Sequence, residues 1–195
     1  MPVRKLVVVE FVTLDGVMQG LGSPDEDRDG GFAYGGWGAP YMDDVQMRAA
    51  VDAMAATTGY LLGRKTFEKM AAFWPYQPDD NPMAAHLTAT PKYVLTRSLR
   101  EPGWNNAHVL SGDLGEEVAT LKGDGEGNVV VLGSGELVQQ LIAQDLVDGY
   151  RLFLHPLVLG TGKRLFGTTD QPKRLRLLEA VPTTTGVLIL SYAAA

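Results

Sequence analysis

Twice in this chain an apolar run halts at glycine and a helix-spaced segment starts at once. Tyr60–Leu62 leads into Gly63 and then Lys65–Ala72; Val129–Leu132 leads into Gly133-Ser134-Gly135 and then Glu136–Gln144. A strand that passes directly into a helix does not fold back as a hairpin. Its partner is reached by a crossover, which makes the pairing parallel and lays helices over the sheet. Leu6–Val12, Lys92–Thr96, Ala107–Leu110 and Val147–Leu154 read as further strands, and Leu114–Leu121 as a helix. Asp43 and Asp44 stand where another helix begins. Val45, Met47, Val51, Met54 and Ala55 then recur at helical spacing as far as about Thr57. The end of the chain differs. Leu175–Val181 and Val187–Tyr192 are separated only by a turn-like Pro-Thr-Thr-Thr-Gly, so an antiparallel hairpin is expected. The fold class is α/β: three layers, α/β/α, around a mixed, mostly parallel sheet with a C-terminal antiparallel hairpin.

The 195 residues suit one domain over 1–195. With no cysteine, the chain has no disulfide, no thiol nucleophile and no thiolate metal site, and its three histidines lack metal-ligand spacing. The net charge of −6 excludes the basic field of a nucleic-acid binder. Glu10 interrupts the first apolar run, and no run approaches the roughly 18 apolar residues of a membrane span. The expectation is a cytoplasmic protein with no membrane or nucleic-acid partner. From Leu14 to Pro40 runs a glycine-rich, acidic loop long enough to suggest function, in which Phe32, Tyr34 and Trp37 give apolar weight.

Three strand ends carry groups suited to phosphate. At Gly133-Ser134-Gly135-Glu136-Leu137, small residues and a helix start offer backbone N–H groups to a pyrophosphate; a tight turn without a ligand is the alternative. At Gly63-Arg64-Lys65-Thr66, two cations oppose the helix dipole, a conflict that a bound phosphate would remove. Thr96-Arg97-Ser98 follows a third strand, and Arg64 and Arg97 could jointly read a ribose phosphate. Gly160-Thr161-Gly162-Lys163 lacks the remaining positions of a triphosphate loop and reads as a turn. For proton supply, Asp15, Asp43, Asp44 and water are the alternatives, with helix capping as a competing role for Asp43 and Asp44. Trp37, Tyr41 and Phe73 are aromatic walls for a planar ligand or plain core residues.

Taken in order, LVVVEFVTLDGVMQG, LLGRKTFE, KYVLTRS and VVVLGSGELVQQLIAQDLVDGYRLFLHPLVLGTGKRLF resemble the dihydrofolate-reductase-like superfamily, in particular single-domain proteins related to the reductase half of RibD. The resemblance implies NADPH as cofactor. Arg64, Lys65 and Thr66 would meet its 2′-phosphate and pyrophosphate, Thr96, Arg97 and Ser98 the adenosine side, and Gly133 to Leu137 the pyrophosphate. The loop from Asp15 through Gly16 and Val17 to Met18 would border the nicotinamide. It implies hydride transfer to a pterin- or pyrimidine-like substrate, as in dihydrofolate reductase or the pyrimidine reductase of riboflavin synthesis, and a homodimer. A non-catalytic NADP-binding dimer or sensor is the alternative. One departure concerns the first helix, where dihydrofolate reductases carry a pterin-binding carboxylate. The comparable depth here is about Met47, with Asp43 and Asp44 one turn earlier.

Overall fold

The computed structural model describes residues 3–78, 80–169 and 171–195. The chain falls into two compact units, Met1–Val8 with Ala50–Asp148 and Val9–Ala49 with Gly149–Ala195. Strand β1 (Lys5–Thr13) and helix α1 (Asp44–Met54) each run from one unit into the other.

The first unit is the parallel part. Its sheet has the order β4 (Ala107–Leu110), β3 (Lys92–Leu95), β2 (Thr57–Gly63), β5 (Asn128–Val131) and then β1, every neighbouring pair parallel. Crossovers between these strands include α2 (Arg64–Phe73), α3 (Pro82–Ala89) and α4 (Leu114–Gly123), and α5 (Gly135–Ala143) follows β5. Val129, Val131, Leu62 and Val94 are fully or nearly fully buried, as strands covered on both faces require. Leu137, Val138, Leu141 and Ile142 of α5 are buried at helical spacing.

In the second unit the remainder of β1 neighbours β6 (Gly149–His155), followed by β8 (Leu188–Ala194) and β7 (Leu175–Pro182) at the edge. β6 with β8 and β8 with β7 are antiparallel, so the expected hairpin is present. Phe153, Val187 and Ile189 pack with Val9, Phe11, Val45 and Ala49, which seats the first half of α1 on this sheet. The long loop has a core of its own, Val17, Phe32 and Trp37. It is also fastened by Gln19. That side chain donates to the carbonyls of Asp27 (3.2 Å) and Asp29 (3.0 Å) and accepts from the Lys163 amide (3.0 Å), while the Gln19 carbonyl accepts from Trp37 Nε1 (2.7 Å). Lys163 Nζ then pairs with the carboxylates of Asp27 and Asp29, each at 2.8 Å.

One local expectation is corrected, and two features were not read from the sequence. α1 ends at Met54 and β2 begins at Thr57, because the Thr57 hydroxyl takes the Ala53 carbonyl and Thr57 pairs with Asn128. Met47 and Val51 do not face inward; they are 58 % and 41 % exposed. Gln46 turns in instead, its amide donating to the Tyr41 carbonyl. α3 escapes the periodicity, since PMAAHLTA has no clear polar face. Its signal was the start, where the Asn81 side chain accepts from Met83 N and Ala84 N and Pro82 takes the first turn.

Candidate functional site

The three phosphate-seeking segments of the sequence lie at one edge of the first unit. Parallel pairing sets Gly63 beside Leu95 and Leu61 beside Val131, so the carboxyl ends of β3, β2 and β5 stand in a row. With strands about 4.8 Å apart, Thr96, Gly63 and Gly133 span roughly 10 Å. This is the edge where open parallel sheets hold ligands.

The middle and last of these tips touch. Gly63 N donates to the Gly133 carbonyl at 3.2 Å. A Cβ added at Gly63 would lie 2.4 Å from Ser134 Oγ and 3.2 Å from Ser134 N. Gly63 has φ −74°, so the glycine is required by this approach and not by its conformation. The Gly133–Ser134 peptide is cis, and Gly133 has φ +98°.

The helices that start at these tips differ from the others. The Asp43, Asn81 and Asp113 side chains cap α1, α3 and α4. α2 and α5 follow Gly63 and Ser134, and neither N-cap makes a side-chain hydrogen bond. Among the described residues, two helices on adjacent strands therefore begin without a cap from their own N-cap side chain. That is the arrangement that attracts a diphosphate.

The side chains around the tips are less uniform. Arg64 Nη1 donates to both carboxylate oxygens of Glu68 at 2.9 Å in a half-exposed pair. Lys65 is exposed and Thr66 half-buried. The Thr96 hydroxyl accepts from the Ser98 and Leu99 amides, so it shapes its turn, while Arg97 and Ser98 are exposed. Leu137 is buried and Glu136 is an exposed acid in the first turn of α5, so at this tip only the main chain suits an anion.

Asp15, Gly16, Val17, Trp37, Tyr41 and Asp44 belong to the second unit. Asp15 accepts from the Thr13 hydroxyl (2.6 Å) and the Gly160 and Leu159 amides (2.8 and 3.2 Å), with Arg164 beside it. The Thr13 bond, with those amides, holds its carboxyl down at about 2. Asp15 is therefore ionised at neutral pH and fastens the turn; it is not a store of protons. Gly16 has φ +80°, and Val17 is wholly buried. Asp43 spends both oxygens, one on Gln46 N and the other on Thr184 N and Oγ1, whereas Asp44 is exposed. Trp37 and Tyr41 set their rings edge-on to buried His155, at 5.0 and 5.4 Å, and so act as core. Phe73 lies in the first unit, 55 % exposed, against Trp74.

Two buried polar groups escaped the sequence. Glu10 is 7 % exposed, and its Oε1 has no hydrogen-bond partner. Burial, with the charge of Glu26 adding to it, pushes its carboxyl up to about 8, so it holds its proton at neutral pH. In the sequence it only marked an interruption of an apolar run; alternation along β1 assigns it the buried face of Leu6, Val8 and Val12. Gln46 Oε1 is likewise buried and unpartnered. The inward polar residue of α1 is thus an amide, not a carboxylate.

Comparison with known proteins bears on the fold and the family. The uncharacterized protein YyaP of Bacillus subtilis (strain 168) is 27% identical over 196 residues, covering 97% of this chain and 94% of YyaP. A Shewanella sp. PV-4 protein provisionally assigned to riboflavin biosynthesis superposes with a TM-score of 0.72 at 19% identity, over 98% of this chain and 99% of that one. Dihydrofolate reductase from Enterococcus faecalis, complexed with NADP(H) and RAB-propyl, gives a TM-score of 0.57 at 16% identity, over 96% and 93%. The fold is therefore dihydrofolate-reductase-like. The family model described as RibD C-terminal domain matches residues 4–189, and this chain belongs to that family.

Proposed function

We propose that this protein is an NADPH-dependent reductase that passes hydride to a small, planar, nitrogen-containing substrate of pterin or pyrimidine type. The observation that carries the reading is the pair of uncapped helix starts on touching strand tips, Gly63–Arg64 and Ser134–Gly135. The backbone there suits the pyrophosphate. Arg64 and Lys65, with Arg97 on the next strand, suit a 2′-phosphate, for which Arg64 would exchange its Glu68 partner. The reductases among the structural relatives, one of them holding NADP(H), support the same cofactor. When bound, NADPH supplies the hydride, while the protein supplies position, charge and a proton.

Thermal shift tests the assignment. A ligand that binds only the folded chain at a hundredfold excess over its Kd stabilises by about 2.7 kcal/mol. For a chain of this size that is a rise of roughly 5–10 °C. NADPH is expected to give such a rise and NADH a smaller one, with Arg64→Ala reducing the first to the second. Equal shifts in the unaltered protein would remove the 2′-phosphate assignment. Binding without consumption of NADPH on any pterin or pyrimidine would instead favour a non-catalytic module.

A further inference from the structure

Within the second unit, His155 ends β6 with its side chain enclosed, only 1 % exposed. Trp37 and Tyr41, from the far end of the long loop, stand edge-on to its ring. Phe11 of β1, itself stacked on Phe153 at 4.5 Å, lies at 6.1 Å. Three aromatic rings thus box in one imidazole. Its Nδ1 is 2.9 Å from the Phe153 carbonyl. A carbonyl only accepts, so Nδ1 carries the hydrogen, and Nε2 of the neutral ring carries none. A second proton would place a charge inside an apolar box. Burial accordingly holds the ring below the usual histidine value, against the pull of the Phe153 and Val12 carbonyls.

We propose that His155 is a proton-operated latch on the long loop: as the neutral ring it seats Trp37 and Tyr41, and as the imidazolium it leaves the box for water and frees that end of the loop. Other groups around the box do not offer the same switch. Among the ring contacts, the Tyr41 phenol is the one titratable side chain. On β1, Glu10 points to the opposite face and keeps its proton to about pH 8. On β6, Arg151 shares the face of His155 but lies about 13 Å along the strand. Toward β8, the cluster that includes Phe153 and Tyr41 is completed by Val187 and Ile189. The carboxylates that anchor the loop and α1 are held below the ordinary range: Asp15 by the Thr13 hydroxyl, Asp43 by the Gln46 amide, and Asp27, against its partial burial, by Lys163. The open form takes the proton more readily than the boxed one. Opening therefore grows as pH falls below about 6.5, by up to tenfold per pH unit until the boxed ring itself is charged.

Hydrogen exchange over residues 35–42 reads the latch, because the amides of Gly36, Gly38 and Tyr41 donate to the carbonyls of Gly20, Leu21 and Gly38. Their protection factors, corrected for the intrinsic effect of pH, should fall about tenfold between pH 7 and pH 5, while those of β5 and α5 stay level. His155→Gln has no ring to protonate and should abolish this dependence. The chain has three histidines, and His86→Gln with His108→Gln, which removes the other two, should keep it. Should His155→Gln not fold, NMR titration of the unaltered protein decides: the His155 ring protons and the Trp37 indole N–H are expected to shift together, with one midpoint below 6.5. Protection that is level between pH 7 and pH 5 overturns the proposal. So does a pH dependence that survives in His155→Gln, or a His155 ring that titrates while the Trp37 indole stays fixed.

Discussion

Replacing Gly63 with alanine tests the joint between the two strand tips. The backbone at Gly63, φ −74° and ψ 153°, is open to alanine, so the substitution adds volume without torsional strain. The new Cβ would meet Ser134 at three atoms: Oγ at 2.4 Å, Cβ at 3.2 Å and N at 3.2 Å. Rotation of the hydroxyl relieves the first contact. The other two require the tips of β2 and β5 to part by a few tenths of an ångström. Overpacking of this kind costs about 1–3 kcal/mol. With one rotatable atom among the three, we expect about 1–2 kcal/mol, a fall in Tm of roughly 2–8 °C. Ser134→Gly removes Oγ and Cβ, so the double variant should recover about 1 kcal/mol relative to additivity. Calorimetry on the four proteins of the cycle measures this, and the NADPH-dependent shift should weaken in Gly63→Ala. A neutral Gly63→Ala, or strictly additive effects, would refute the contact as the reason for this glycine.

Other consequences are measurable with the same protein. The Glu10 carboxyl keeps its proton to about pH 8 when folded, against an ordinary glutamate value of 4.5. Between those values the folded state holds more protons, so stability falls as pH rises through that window, and Glu10→Gln should flatten this slope in urea midpoints taken near pH 5 and near pH 8. Lys92 is fully buried, its Nζ donating to the carbonyls of Leu87, Thr88 and Thr90 beneath the Trp104 ring. Lys92→Met leaves the end of α3 short of donors and should cost about 2–3 kcal/mol in urea unfolding, whereas a neutral result would mean that water satisfies those carbonyls.

The alternation of strand and helix was legible because both readings rest on short-range pattern. Val129–Leu132 followed by Gly133 could hardly fold otherwise, and the C-terminal hairpin was announced by its turn. The same holds for the three strand tips, where small residues and cations stand in sequence beside the strand end. What the pattern could not supply was which side of α1 faces the sheet. Met47 and Val51 outweigh Val45 and Ala49 in hydrophobicity, and only the bond from Gln46 to the Tyr41 carbonyl shows the helix turned the other way. The role of Asp15 was hidden for a related reason: its partners Leu159 and Gly160 lie some 145 positions further along the chain. Nor does a glutamate within an apolar run declare whether it is buried and neutral or exposed and charged; that depends on neighbours brought by the fold.

The fastening of the long loop has a consequence for its motion. Backbone bonds such as Gly36 N to the Gly20 carbonyl, a small packed core and the Lys163 ion pairs all order the loop, and one residue gathers several of its distant parts. Gln19 joins the stretch near Asp27–Asp29, the turn at Lys163 and the indole of Trp37. Release of Gln19 would cost its contacts to Asp27, Asp29, Lys163 and Trp37 together, while the Lys163 ion pairs and the packed Val17, Phe32 and Trp37 would still tie the segment down.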